Sequence, residues 1–181
     1  MSEKPLFSVL IANYNNGKYI EEAIASVIAQ TNTNWEIILV DDASTDSSHG
    51  LYKHYADDNR IKVFYNETNQ GCGYTKRKCV ELASGEICGF LDPDDKLATN
   101  ALGIMVQLHQ EQPDCSLIYS TLYEFTCRNE DLKIGGGGKI EDWEDYLINS
   151  QYGVCAFATF KKSFYNKTIG IDPSLVSAVD C

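Results

Sequence analysis

Positive charge is scarce in this chain. Fifteen Lys and Arg stand against 26 Asp and Glu, giving a net charge of -11 and a pI near 4.6. Affinity for a phosphate backbone rests on clustered Lys and Arg, so a nucleic-acid partner is excluded and any anionic ligand needs a local device to hold it. Long apolar runs are missing too. No stretch of about 18 apolar residues could span a bilayer, and the opening MSEKPLFSVLIANYNN lacks the charged region and long apolar segment of an export signal. The seven cysteines at 72, 79, 88, 115, 127, 155 and 181 show neither paired zinc-ligand spacing nor the density of a small disulfide scaffold. Reduced thiols follow, and with them a cytoplasmic location, free or peripheral at the inner face of the membrane. A P-loop is absent as well: GGGG at 135–138 lacks the Lys-Ser/Thr pair and the strand-to-helix setting, and reads as a turn.

What the chain does have is alternation. With 181 residues, 44% of them hydrophobic, it suits a single domain spanning 1–181. The β-branched run Phe7–Ala12 (FSVLIA) leads through YNNGKY into Ile20, Ala23, Ile24, Val27 and Ile28 at helical spacing. Trp35–Val40 (WEIILV) leads through DDASTDSS into a helix through His54 and Tyr55, and Ile61–Tyr65 is a third strand. After NETNQGCG a helix through Lys76, Val80 and Ala83 stops at Gly85, and Ile87–Leu91 is a fourth strand. Farther on, the pattern predicts a helix through Ala101, Ile104, Met105 and Leu108, strands at Ser116–Ser120, Thr121–Cys127 and Val154–Phe160, and a short helix over Glu141–Asn149.

Alternation of this kind specifies an α/β domain with a mostly parallel sheet, because parallel neighbours need crossover helices. Ligands bind such sheets beyond the carboxyl ends of the strands. NYNNGK, DDASTD and DPDD are therefore expected to share one crevice.

The fourth strand runs into FLDPDD, where three carboxylates crowd together in an already acidic chain. Pro93 fixes its own φ and biases Asp92 away from helix, so Asp92 and Asp94 can be held side by side at the strand mouth. Two carboxylates there suit Mg or Mn, with waters and nucleotide phosphates filling the remaining positions. The other reading is structural: Asp94 or Asp95 caps a following helix.

The segments VLIANYNNGKYIEEAIASVIAQT, EIILVDDASTD, NQGCGYTKRK, LASGEICGFLDPDD and FKKSFYNKTIGIDPSL occur in that order, and together they resemble the family-two inverting glycosyltransferases with the GT-A fold. The resemblance implies a Rossmann-like α/β fold, with residues 5–120 as the nucleotide-sugar half and 121–181 as the start of an acceptor-side half. It implies transfer of a hexose from a nucleotide diphosphate, expected to be a UDP-sugar, to a glycan or lipid-linked acceptor in cell-surface polysaccharide biosynthesis. FLDPDD matches the family's metal-binding D-x-D, with Asp94 as principal ligand of a divalent metal (Mn or Mg), Asp92 near ribose and metal, and Asp95 structural. Ala12 and Tyr14 match the loop whose backbone and ring contact the base. Asp42 matches the carboxylate that accepts from uracil N3. Lys76 matches the family's basic residue after the glycine loop, although Thr75-Lys76-Arg77 departs from the usual Ala-Arg-Asn. Either cation could neutralise pyrophosphate or lie on a solvated helix face. His49, His54 and His109 match nothing functional and read as surface or structural.

An inverting transferase needs a general base to deprotonate the acceptor hydroxyl. The family places it a few residues beyond an F-D-x-S-L element, which here is IDPSL followed by Val179-Asp180. Asp180 is the matching base, with Val179 where the family has Glu, and a plain terminal carboxylate is the competing reading. Because the family continues past this point, the resemblance also implies a form shortened at its C-terminus. A binding-only or inactive nucleotide-sugar module, and another α/β nucleotide-dependent transferase, are the alternatives the sequence leaves open.

Overall fold

The computed structural model describes residues 7–124, 133–135 and 157–175. A six-stranded sheet runs in the order β3-β2-β1-β4-β8-β5. Its parallel part is β1 (Phe7–Asn13), β2 (Trp35–Asp41), β3 (Ile61–Tyr65) and β4 (Ile87–Phe90), as the alternation predicts. Beyond β4 the sheet turns antiparallel through β8 (Ala158–Lys161) and β5 (Leu117–Tyr119). Two more strands, β6 (Leu122–Glu124) and β7 (Lys133–Gly135), form a separate hairpin, so the run expected over Thr121–Cys127 is a strand only at 122–124 among the described residues. The short helix expected over Glu141–Asn149 lies outside them.

The strand runs are apolar on both faces because helices cover both faces. Phe7, Val9, Ile11, Trp35, Ile37 and Leu39 point to one side, where α1 (Ile20–Ile28) and α4 (Ala101–Glu111) bring Ile24, Val27, Leu102 and Met105 against them. Leu10, Ile38 and Val40 point to the other, against Cys79, Val80 and Ala83 of α3 (Cys72–Leu82) and its C-terminus. Each such Ile or Leu, fully withdrawn from water, contributes about 1.5–3 kcal/mol. Cys79 and Cys88 belong to this second core, where burial pushes both thiols up to about 12. They act as small apolar side chains.

The helix expected through His54 and Tyr55 is instead α2 (Ser48–Leu51) followed by a 3₁₀ turn, Tyr52–Tyr55. Asp46 supports its start, accepting from the Ser48 amide at 3.0 Å and from the Gly17 amide at 2.7 Å.

Glu36 and Asp41 are buried carboxylates held ionised by their donors. Glu36, 1% exposed, accepts from Ser8 Oγ at 2.6 Å, from the Ser84 amide at 2.6 Å, and from Lys62 Nζ at 2.7 Å. Burial opposes ionisation of Glu36, yet these donors outweigh it and hold its pKa below the ordinary glutamate value. Asp41 behaves the same way. His109, 2% exposed, is kept neutral mainly by burial, with Lys161 adding to the effect. All three pKa values are lower folded than unfolded, so each group contributes stability that is present above its unfolded pKa and lost as pH falls. Stability should therefore begin to fall below about pH 6.5, as His109 titrates in the unfolded chain, and steepen below about pH 4.3 as Glu36 and Asp41 follow. Urea midpoints measured from pH 8 to 3 check this; a flat profile down to pH 4 would remove His109 from the account.

Candidate active site at the carboxyl ends of the strands

The β1–β2 register, Phe7↔Trp35 through Asn13↔Asp41, sets Asn13 and Asp41 side by side where the two strands end. Asp41 is wholly buried. Its Oδ2 accepts from Tyr52 Oη at 2.6 Å and from Asn13 Nδ2 at 3.2 Å; its Oδ1 accepts from the Ser44 amide at 2.8 Å and meets His49 Nε2 at 3.0 Å. Asn13 Nδ2 also reaches Tyr52 Oη at 2.7 Å and Ser48 Oγ at 3.2 Å. This network ties the first two loops together where β1 and β2 end. At its upper rim the Asn15 amide donates to Ser44 Oγ at 2.9 Å and the Thr45 amide to Asn15 Oδ1 at 2.8 Å.

Most of the residues singled out by sequence lie at or near these strand ends. Ala12 is the penultimate residue of β1, and Tyr14 follows the strand at 46% exposure, available to a stacking partner. Asp42 is 3% exposed, and its amide donates to Asn13 O at 2.8 Å. Its carboxylate does not cap α2. It reaches across to the third loop, where Oδ1 accepts from Asn66 Nδ2 at 2.7 Å and the Gln70 amide at 2.8 Å, and Oδ2 from the Gly71 amide at 2.9 Å. Between Asp41 and Ser44 the chain passes through Ala43 at φ 61, a left-handed conformation that costs a non-glycine residue about 1–2 kcal/mol. The hydrogen bonds on both sides hold it there.

FLDPDD does not begin a helix. Residues 92–100 are turn and coil, and α4 starts only at Ala101 with Asn100 before it, so the capping role open to Asp94 and Asp95 falls away. Asp92 lies at the mouth of β4, its side chain 43% exposed, with Oδ1 at 3.3 Å from Nζ of the 4% exposed Lys76. That ammonium also sits 5.3 Å from the centre of the Phe90 ring. Asp94 is exposed and makes no hydrogen bond or ion pair among the described residues. No three His, Cys, Asp or Glu among the described residues form a metal-binding group. The donor set thus fits a hard divalent cation in one way: one or two carboxylates, with nucleotide phosphate oxygens and water completing the shell.

Comparison with known proteins agrees with this geometry. The sequence pattern described as Glycosyl transferase family 2 matches residues 8–169. The chain belongs to glycosyl transferase family 2. Chondroitin synthase of Escherichia coli is 31% identical over 183 residues, covering 97% of this chain and 25% of that protein. Glycosyltransferase GlyG of Streptococcus pneumoniae serotype 4 is 36% identical over 126 residues, 69% of this chain and 41% of that one. The chain spans less than half the length of these relatives. Among solved structures, S. aureus TarS 1-349 in complex with UDP-GlcNAc matches with a TM-score of 0.75 and 25% identity, over 96% of this chain and 50% of that one. The sheet and its flanking helices are those of the GT-A fold.

Within this family 2 chain, the two neighbouring cations of α3 have separate partners. Lys76 turns to Asp92. Arg77 turns away, to Glu81 at 3.1 Å and to the carbonyls of Ile169 at 3.3 Å and Ile171 at 3.2 Å. Close beside it, the Gly73 amide donates to Leu175 O at 2.8 Å. The start of α3 therefore touches the third loop through Gly71 and the 172–175 turn through Gly73. Asp180 lies outside the described residues. Of the histidines, His54 meets Glu21 at 3.0 Å on the surface, and His109 donates from Nε2 to Thr159 Oγ1 at 3.0 Å in the interior. His49 is the exception to a plain surface role, since it braces Asp41. Sequence reasoning also passed over Asp41 and Tyr52. The signal was available in DD at the end of an apolar strand: a carboxylate that continues a run buried on both faces is itself placed for burial.

Proposed function

We propose that this chain is a nucleotide-sugar glycosyltransferase that moves a hexose from a UDP-sugar to an acceptor hydroxyl with inversion. Supporting it most directly is Asp42, a buried carboxylate whose amide is bonded to the residue before the exposed Tyr14, with acceptor capacity left for an incoming donor such as uracil N3–H. Family membership and the likeness to TarS, solved with UDP-GlcNAc, point the same way. In this reading Tyr14 stacks on the base and Ala12 contributes its backbone. Lys76 holds Asp92 in place and offers positive charge toward the diphosphate. Asp92 and Asp94 would hold a divalent cation, Mn or Mg, which when bound stabilises the departing diphosphate. Asp180 is proposed as the base that takes the acceptor proton. Residues 5–120 form the donor half and 121–181 lead into the acceptor side; a glycan or lipid-linked hydroxyl of a cell-surface polysaccharide is the acceptor class.

With two carboxylates proposed as its protein ligands, the cation should rely on the diphosphate for the rest of its shell, so cation and UDP should bind as a unit. Calorimetry should show UDP affinity at least about tenfold weaker in EDTA than in manganese, a loss that Asp94→Asn reproduces without chelator. Equal affinity in both buffers would refute the metal assignment. A transfer assay on Asp180→Asn tests the base separately, since that variant should keep UDP affinity while losing transfer.

A further inference from the structure

Asp42 has a finite number of places to accept. Two carboxylate oxygens offer about four lone-pair sites. Oδ1 uses two, on Asn66 Nδ2 and the Gln70 amide, and Oδ2 uses one, on the Gly71 amide. One site remains, on Oδ2. Whether that count holds depends on Asn66, whose amide could face Asp42 with its NH₂ or, after a flip, with its oxygen. The flipped form would set a carbonyl oxygen 2.7 Å from a carboxylate oxygen. The unflipped form is held from three sides, by the Asp42 carboxylate, by Thr75 Oγ1 and, on the oxygen side, by Lys78. Its Nζ lies 2.7 Å from Asn66 Oδ1, and an ammonium only donates, so it pins the amide oxygen on its own side and delivers the NH₂ to Asp42. The rest of Asn66 is fixed as well: its backbone amide donates to Asp41 O at 2.8 Å, and Nδ2 lies 3.2 Å from Thr75 Oγ1, which itself donates to Gly71 O at 2.9 Å.

We infer that Lys78 and Asn66 are positioning residues that set nucleobase specificity, by holding Asp42 with a single acceptor site open to the base. The inference rests on the reading of Asp42 as the base-recognising carboxylate. A lone open acceptor suits a ring N–H, as in uracil N3, and disfavours cytosine, whose N3 carries a lone pair instead. Lys78 acts at one remove, through the orientation of Asn66, and Asn66 through the loop it ties to Asp42. The motifs carry no hint of this, because Asn66 lies outside the matched segments and Lys78, the last residue of NQGCGYTKRK, matches no functional position in them.

The test measures UDP and CDP affinities by calorimetry, in manganese, for the wild type, Lys78→Met, Lys78→Gln, Lys78→Arg and Asp42→Asn, with melting temperatures alongside. Lys78→Met and Lys78→Gln release the oxygen side of the Asn66 amide, so its NH₂ is held less firmly on Asp42 and UDP should weaken about tenfold, the scale of one hydrogen bond to a charged group. CDP should change little, narrowing the UDP:CDP ratio. Lys78→Arg keeps a cationic donor and should restore the ratio to within about twofold. A purely structural lysine would shift melting temperature and both nucleotides together, and that pattern overturns the inference. The control separates two failures. If Asp42→Asn collapses the ratio while Lys78→Met and Lys78→Gln leave it intact, the relay is wrong and the base reading stands; if Asp42→Asn leaves it intact, the base reading itself is wrong.

Discussion

Asp41→Ala is expected to cost about 3–5 kcal/mol of folding free energy, the range for removing one partner from a buried charged network. The substitution does more than delete a carboxylate. It strands the Tyr52 hydroxyl, 3% exposed, takes one acceptor from the buried Asn13 amide, and removes the acceptor that holds the Ser44 amide behind the strained Ala43. Each unsatisfied buried donor costs about 1–3 kcal/mol, whereas the space vacated by a carboxylate is small. Asp41→Asn should cost less, because one oxygen still accepts, but it cannot serve both Tyr52 and the Ser44 amide. Against a total stability of about 5–15 kcal/mol, the alanine loss leaves a marginal protein. Urea denaturation reads it directly as a lowered midpoint at unchanged slope. A shift under about 1 kcal/mol would mean that water replaces the carboxylate and that the network is a wet loop junction instead of a dry one. Because the network joins the Tyr14 loop to the Asp42 loop, Asp41→Ala should also weaken UDP, while Tyr14 and Asp42 themselves remain in the chain.

The same pair of aspartates shows what a sequence can and cannot reveal here. Phe7–Ala12 and Trp35–Val40 carry unbroken apolar character, so their strand identity and two-sided burial could be read directly, and their carboxyl ends located the crevice. Periodicity says which neighbour faces inward only once register is known, and register came from the pairing Asn13↔Asp41. Asp42, found through a motif, thus emerged as a site residue. Asp41, equally buried and more heavily bonded, did not. FLDPDD was ambiguous because a proline and two aspartates suit a helix start as well as a cation; only the delay of α4 to Ala101 separated the two. The antiparallel insertion of β8 between β4 and β5 was also illegible, since its partners lie about 40 and 70 residues away in the chain and no local pattern encodes so distant a pairing.

Gly73→Ala should separate donor binding from transfer. Helix propensity alone would make alanine the better residue within α3 by about 1 kcal/mol. The surroundings reverse that sign. A Cβ at this position would lie 2.4 Å from Asp172 O and 2.8 Å from Leu175 O, both backbone atoms that no rotamer change can move aside. The 172–175 turn must shift, and with it go the Gly73–Leu175 hydrogen bond and the support of Arg77 on the carbonyls of Ile169 and Ile171. A net loss of about 1–3 kcal/mol is the usual cost of such overpacking. On the donor side little changes, because Asp42 keeps the Gly71 amide and the Gln70 amide through contacts that do not involve the turn. The turn, by contrast, leads within a few residues of sequence to Asp180, the proposed base, and a base displaced by about 1 Å can lose on the order of a hundredfold in rate. UDP affinity should therefore stay within about twofold of wild type, transfer should fall by about that hundredfold, and amide exchange at Ile171 and Leu175 should accelerate. A Gly73→Ala protein that is more stable than wild type and transfers sugar normally would show that the turn does not rest on α3 in solution, and that the acceptor side is positioned from elsewhere.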